Sequence, residues 1–384
     1  MSYQALYRKY RSKTFDEIIG QKHITQSLIN QINNNQIGHA YLFTGTRGTG
    51  KTSIAKIFAK AINCLAPKNG SPCDNCEVCK SLNGGGNVDI LEIDAASNNR
   101  VDEIRDLREK VKYPPVTCRY KVYIIDEVHM LTDSAFNALL KTLEEPPEYV
   151  VFILATTEVH KLPATILSRC MRFDFKLLSQ KELEDHIKFI FKDSGIKYED
   201  EAVSVIASLG AGSVRDTLSI ADMCVAYSNK NVSYNAVVEA IGLTDRETLR
   251  ILSSNIIDGN EGGVLSAIDK IAKAGKNITQ LSKDLAGYIR DLLVVKTCKE
   301  YEEILKLPKE HMSELKAIAD KTTNEKLIEI LTRLSRLDNE YRYSTNPRSL
   351  MEITLVSLCK FEMTEMAELK MKIKMLEAKL SKGN

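Results

Sequence analysis

No run of about 18 apolar residues occurs in this 384-residue chain, which excludes a membrane-spanning helix. The opening Met1-Ser2-Tyr3-Gln4 leads into no apolar h-region, so a secretory signal is not expected and a cytoplasmic protein without membrane attachment is. A dominant charge is missing too. The 53 Lys and Arg residues against 51 Asp and Glu leave a net charge of +2, which excludes coating of nucleic acid by bulk basicity but leaves room for a local basic surface. In a reducing compartment the nine cysteines are expected as thiols or metal ligands rather than as disulfides.

With 27% charged and 43% hydrophobic residues, the composition is that of a globular protein, and the length predicts two or three domains. The most informative stretch is Gly45-Thr46-Arg47-Gly48-Thr49-Gly50-Lys51-Thr52, followed by Ser53, which satisfies G-x-x-x-x-G-K-[ST] without a mismatch. An apolar run, Tyr41-Leu42-Phe43, precedes it, and Ile54, Ile57, Phe58 and Ala61 follow at helical spacing. Glycine lets the backbone turn its N–H groups inward on an anion, and the positive end of the next helix adds to that field. Lys51 then reaches β- and γ-phosphates and Thr52 ligates Mg²⁺, so ATP with Mg²⁺ is the expected occupant.

Cys64, Cys73, Cys76 and Cys79 form C-x8-C-x2-C-x2-C in a polar stretch from about Leu65 to Val88 that buries too little apolar surface to fold alone. Either they are four incidental reduced thiols or four thiolates around one structural Zn²⁺; their crowding favours the second, with no open position for catalysis. Further strands are expected at Asp89–Ile93, Tyr120–Ile125, Val150–Leu154 and Met171–Phe175, apolar on both faces and therefore buried and parallel. Helical segments between them predict a doubly wound α/β sheet whose ligand sits at the strands' carboxyl ends. Asp126 and Glu127 fall there, Asp126 suited to the Mg²⁺ shell and Glu127 to orienting and deprotonating water. Thr156 and Thr157 end the next strand, where a hydroxyl can reach the γ-phosphate or the water, though threonine is also ordinary at strand ends.

Residues 3–13 are basic and aromatic without period, which by composition is a frayed arm. The lead-in Thr14-Phe15-Asp16-Glu17-Ile18-Ile19-Gly20-Gln21 resembles the adenine-side entry of AAA+ ATPases. That resemblance implies that Ile18 and Ile19 flank the base and that Ala5, Tyr7 and Arg8 close over it.

Taken together, several segments resemble the bacterial DNA polymerase III gamma/tau family, the ATPases of the sliding-clamp loader. They are the phosphate loop, the four-cysteine insertion, Ile93-Asp94-Ala95-Ala96-Ser97, Asp126-Glu127-Val128-His129-Met130-Leu131 and Phe136–Pro147. Leu154-Ala155-Thr156-Thr157, Ser168-Arg169-Cys170 and Gly212–Ser219 complete the set. The likeness is dense over residues 1–225 and diffuse beyond. It implies a AAA+ domain over 1–178 with a five-stranded parallel sheet and a zinc module at 64–79. A helical lid over 179–242, a helical collar over 243–362 and an amphipathic tail over 363–384 would follow. Arg169, by itself an ordinary surface cation, is implied as an arginine finger reaching a neighbour's γ-phosphate. Thr157 is implied as a first sensor, and Arg215, beside Val214, as a second. Arg100 and Arg105 are implied DNA contacts, although the chain carries Asn98-Asn99 where relatives place a basic residue. The implied partners are delta, delta-prime and further gamma/tau copies in a pentameric ring, the beta clamp and primer–template DNA. Polymerase core and helicase join only where a tau extension is present. A non-hydrolysing scaffold subunit of the same assembly, or another AAA+ DNA-processing ATPase, is the alternative.

The lid also reads from its residues. Ser179-x-x-Glu182 is a capping box opening a helix with Leu183, Ile187, Ile190 and Phe191 on one face; a second helix runs from about Glu199 to Leu209, and Ser213 caps a third. Arg215 in that third helix's first turn is disfavoured by the dipole unless an anion is nearby. From Thr244-Asp245-Arg246-Glu247, a second expected capping box, the chain is helical. Apolar faces recur at Leu249, Leu252 and Ile256; at Leu265, Ile268 and Ile271; and along Leu327–Tyr341. No glycine-rich or acidic-pair motif occurs there, so an assembly module is expected, with a DNA-contacting or partner-recruiting bundle also open.

Overall fold

The computed structural model describes residues 4–83, 88–97, 101–305, 307 and 309–360. The expected tail stripe and Arg100 lie outside the described residues, as does the side chain of Arg105. The chain divides into two compact units, Met1–Val237 and Val238–Asn384. The expected boundary after residue 178 lies within the first unit.

Unit one opens with α1 (Leu6–Lys9) and α2 (Lys22–Asn33). The basic arm is therefore not frayed: Leu6 is buried and the Tyr10 hydroxyl donates to Asp193 Oδ2 at 2.5 Å, contacts that composition does not reveal. Next come β1 (Ala40–Thr44), α3 (Lys51–Ile62), α4 (Glu77–Asn83), β2 (Ile90–Asp94), α5 (Val101–Val111) and β3 (Lys121–Asp126). They are followed by α6 (Asp133–Glu144), β4 (Val150–Thr156), α7 (Ala164–Leu167) and β5 (Met171–Asp174). The five strands pair in parallel in the order β2-β3-β4-β1-β5.

Alternation along each strand builds two cores. Tyr41 and Phe43 of β1, with Ile124 and Ile153, pack with Ile54 and Phe58 of α3 on one face. Leu42, Ile125, Phe152 and Leu154 pack with Ile104 of α5 and Leu139 of α6 on the other. Tyr41 meets Phe58 edge-on at 4.8 Å, and Tyr123 stacks on Phe152 at 5.4 Å. The expectation of burial on both faces holds for the three central strands and fails at the edges. Glu92 and Asp94 in β2 and Met171, Arg172 and Asp174 in β5 are exposed, because an edge strand has one unpaired flank and incomplete helix cover.

The lid consists of α8 (Gln180–Asp193), α9 (Asp200–Leu209) and α10 (Val214–Tyr227). Both arms of the Ser179/Glu182 capping box form, and Ser213 accepts from Asp216 N as expected. A short parallel pairing of β6 (Lys197–Tyr198) with β7 (Asn231–Val232) was not expected, since two-residue strands carry no readable period.

After α11 (Tyr234–Ile241), unit two is helical. Its helices are α12 (Arg246–Ile257), α13 (Glu261–Lys273), α14 (Ile278–Thr297), α15 (Tyr301–Leu305), α16 (Lys309–Ala319), α17 (Asn324–Tyr341) and α18 (Pro347–Cys359). The long α14 packs against α12, α16, α17 and α18 and contributes Leu281, Leu285, Ile289 and Leu292 to the core. Two expectations are corrected. The cap of α12 is Asp245 rather than Thr244: its carboxylate accepts from Thr248 N and Oγ1 at 2.9 Å each and pairs with Lys276, while Thr244 N donates to Asp284. An ionised cap at a positive helix end explains that choice. On α13 the buried face is Val264, Ala267, Ile268 and Ile271, and Leu265 is 41% exposed, one residue out of phase with the stripe.

Candidate functional site

The turn from β1 into α3 is shaped by three glycines with positive φ, Gly45 at 143°, Gly48 at 78° and Gly50 at 101°. At Gly48 the constraint comes from the lid. A Cβ there would lie 1.9 Å from Ser213 Oγ, and Val214 N donates to Gly48 O at 3.0 Å. Lys51, buried at the first turn of α3, donates to Gly45 O at 2.8 Å and Thr46 O at 2.9 Å. Burial lowers its pKa from the ordinary lysine value, and the nearby Glu127 and Asp126 carboxylates oppose that shift. Thr49 Oγ1 closes the loop on Thr46 O at 2.9 Å.

At the ends of β3 and β4 the acidic pair takes separate partners. Thr52 Oγ1 donates to Asp126 Oδ2 at 2.7 Å, so a hydroxyl and a carboxylate oxygen stand together as adjacent ligands of an octahedral Mg²⁺ would. Glu127 has φ 47°, a left-handed conformation that costs a non-glycine residue about 1 kcal/mol or more and concentrates at functional sites. Its Oε2 accepts from Thr157 Oγ1 at 2.9 Å and Thr157 N at 3.2 Å. Thr157 thus meets the Glu127 carboxylate directly.

A cavity of about 810 Å³ runs from this loop toward the arm. Tyr7, Arg8, Ile18, Ile19, Arg47 through Ser53, Asp126, Glu127, Val214 and Arg215 all line it. Of the other expected residues, Ala5 caps α1 through its carbonyl, which accepts from Arg8 N and Lys9 N, while Gly45 and Thr46 hold Lys51 from behind. Arg215 and Arg8 each place a guanidinium carbon 5.7 Å from the centre of the Tyr7 ring, which gives the lid cation a face to rest on. Sequence reasoning missed Tyr10, Arg11 and His186 in this wall. His186 on α8 has its pKa lowered by burial, so a neutral imidazole faces the cavity. An aromatic beside a basic residue in the arm was the available signal for Tyr10; none existed for His186.

Arg169 is absent from the residues lining this cavity. Its guanidinium donates to Glu144 Oε1 at 2.8 Å and to Thr165 O at 2.8 Å, and its side chain is one-third exposed.

The four cysteines converge. All four Sγ atoms lie within 4.8 Å of one another, against about 3.8 Å for the edges of a tetrahedron with Zn–S bonds of about 2.3 Å. Backbone donors serve the sulfurs, Cys73 N to Cys64 at 3.3 Å, Cys76 N to Cys73 at 3.3 Å and Cys79 N to Cys76 at 3.4 Å. Donors from Asn75 and Cys76 bring the Cys73 thiol down to about 6, whereas burial pushes Cys64 and Cys79 up. The cluster is compatible with zinc, and among the described residues it is the one such group of three or more metal-binding side chains. Lys60 pairs with Asp74 beside it, and Ser71 Oγ accepts from Phe15 N at 3.2 Å, which ties the insertion to the domain.

Comparisons with known proteins agree along the whole chain. Residues 20–179 match the family described as DNA polymerase III, delta subunit, and residues 182–230 the DNA polymerase III clamp loader subunit, ATPase lid domain. Residues 232–375 match DNA polymerase III subunits gamma and tau domain III. The Bacillus subtilis DNA polymerase III subunit tau is 41% identical over 96% of this chain, which spans 65% of that protein's length. The Buchnera aphidicola DNA polymerase III subunit gamma is 35% identical over 93% of this chain and 98% of its own. Among solved structures, the Thermotoga maritima RuvB Holliday junction branch migration motor is similar at TM-score 0.47 and 20% identity, covering 64% of this chain and 79% of that one, and no assignment rests on it. A P-loop α/β domain, a lid and a helical second unit, matched in order by three polymerase III families and nearly end to end by a gamma subunit, place this chain in the DNA polymerase III gamma/tau family.

Proposed function

We propose that this chain is an ATPase subunit of the bacterial clamp loader, coupling ATP binding and hydrolysis to opening the beta sliding clamp and loading it on primer–template DNA. The observation that carries this reading is the pairing of a complete hydrolytic set on one side with a cation held elsewhere. Lys51, Thr52, Asp126 and Glu127 converge on one cavity, while Arg169 sits outside it on Glu144. Lys51 neutralises the β- and γ-phosphates, exchanging its two loop carbonyls for phosphate oxygens. Thr52 and Asp126 would hold Mg²⁺, which would supply neutralising charge to the phosphates. Glu127, held by Thr157, takes the proton of the attacking water as its oxygen bonds to the γ-phosphorus and the bond to the bridging oxygen breaks. Arg215 reads the phosphates from the lid, and Tyr7, Arg8, Ile18 and Ile19 enclose the base. Arg169 completes the site of an adjoining subunit, so delta, delta-prime and further gamma/tau copies are the expected ring partners. Because the chain spans 65% or less of several tau relatives, recruitment of polymerase core or helicase is assigned to whatever a longer chain carries.

The test is ATP turnover by this chain alone and assembled with delta and delta-prime, with and without beta clamp and primed DNA. Turnover should be slow alone and rise at least about tenfold in the full assembly, since the alone state lacks the trans cation. A rate indifferent to partners, clamp and DNA would remove the clamp-loading assignment.

Cys64, Cys73, Cys76 and Cys79 hold one structural Zn²⁺ in this reading. Stripping the metal with a chelator should raise amide exchange over residues 64–83 and leave nucleotide affinity within about twofold, because the cluster lies outside the cavity wall. One zinc per chain by metal analysis, lost in Cys76→Ser, is the companion measurement.

A further inference from the structure

His129 lies three residues beyond Asp126 in the 3-10 turn Val128–Met130, and its side chain is 6% exposed. The hydrolytic roles assigned above give it no task, yet three polar groups converge on it. Nδ1 is 3.0 Å from Thr156 Oγ1 and 3.4 Å from Glu127 Oε2; Nε2 is 3.3 Å from Glu158 Oε1. The donors can be counted. Thr156 Oγ1 already accepts from Glu158 N at 3.0 Å, so its own hydrogen is free to donate. Thr156 Oγ1 and Nδ1 share one hydrogen bond, and Nε2 faces the Glu158 carboxylate. Two hydrogen bonds and the Nε2–carboxylate contact then form a ring running from Glu158 N through Thr156 Oγ1, Nδ1 and Nε2 back to Glu158 Oε1.

That ring fixes Thr156 and Glu158, the residues on either side of Thr157. Thr157 in turn gives both its N–H and its hydroxyl to Glu127 Oε2. Lys161, at the far end of the turn after Glu158, pairs with the same glutamate at 2.9 Å and steadies the anchor from outside.

We propose that His129 is a positioning residue for hydrolysis. By joining Thr156 to Glu158 it fixes the end of β4 from which Thr157 presents Glu127 to water. This rests on the reading that Glu127 activates that water. Its role is separate from binding, since His129 does not line the cavity.

The test uses the assembled complex with clamp and primed DNA, measuring kcat, KM and nucleotide affinity for five variants. His129→Ala should lower kcat about 10- to 100-fold, the scale set by misplacing a reacting group by an ångström or so, with nucleotide affinity within about twofold. His129→Asn, whose amide oxygen can accept from Thr156, should recover part of the loss. Thr156→Val keeps the side-chain volume and breaks the same ring, so it should reproduce the kcat loss even where the alanine variant is poorly folded. The double variant should be no slower than the slower single one. Full kcat in Thr156→Val, an asparagine variant no better than alanine, or losses that multiply would overturn the proposal. Glu127→Gln, the fifth variant, separates the two levels. If it retains turnover, the reading of Glu127 falls and this proposal with it; if it abolishes turnover while His129→Ala and Thr156→Val are silent, only the positioning role falls.

Discussion

Arg169→Ala is expected to lower ATP turnover of the assembled ring by about 10³-fold, on the order of 4 kcal/mol of transition-state stabilisation, without weakening nucleotide binding to the isolated chain. The reasoning is geometric. The guanidinium rests on Glu144 and on the carbonyl of Thr165, and it is not part of the cavity that holds Lys51 and Glu127. An arginine so placed contributes nothing to its own subunit's ground-state complex. In the proposed reading it stabilises charge where a second subunit brings a γ-phosphate to it. Mixed rings give the decisive measurement. A ring in which one copy carries Arg169→Ala and its neighbour carries an intact Arg169 should lose turnover at one junction only, and the silenced site should belong to the unmutated neighbour. If the mutated copy's own site is the silent one, the trans assignment is wrong. Glu144→Gln is a milder probe of the same contact, since an exposed pair of this kind contributes on the order of 1 kcal/mol or less.

Glu127→Gln is the second large effect. Turnover should fall about 10²- to 10⁴-fold, as expected when a positioned general base is lost, while nucleotide affinity stays level or rises. The substitution is nearly isosteric. The amide oxygen still accepts from Thr157, and the strained backbone at φ 47° is unchanged, so the loss isolates the proton-accepting function from the fold. A trapped, ATP-bound assembly is the expected physical product. Rapid-quench measurement of a single turnover distinguishes a slow chemical step from slow product release; a normal single-turnover rate would exclude Glu127 as the base.

Much of this was legible in the chain because phosphate chemistry is written in short spacings. Gly45 to Thr52 needs only eight consecutive residues, and Asp126-Glu127 needs only an apolar strand before it. The Ser179/Glu182 box and the cysteine spacing are local in the same sense. What escaped depends on residues far apart in sequence. Tyr10 gains its meaning from Asp193, Arg169 from Glu144, and Thr157 from Glu127, and no periodicity encodes such pairs. The error at Thr244 has the same origin: two candidate caps stand side by side, and Lys276, remote in sequence, selects Asp245. Leu265 misled because an apolar residue one step out of phase on a helix looks like part of the stripe until the neighbouring helices are placed.

The contact between Gly48 and the lid bears on how variants of this loop should be diagnosed. A glycine in a phosphate loop is ordinarily credited with making room for phosphate. Here the space beside Gly48 is filled by Ser213, and its carbonyl receives the first N–H of α10. A side chain at this position would therefore unseat the lid before it touched any nucleotide. A Gly48→Ala protein that fails to retain ATP would have the phenotype of a broken binding loop and the cause of a displaced domain. Ser213→Gly removes the nearest obstruction while leaving Arg215 Cβ at 3.3 Å and the strain of φ 78°, so partial recovery of ATP retention in the double variant would identify lid displacement as the cause.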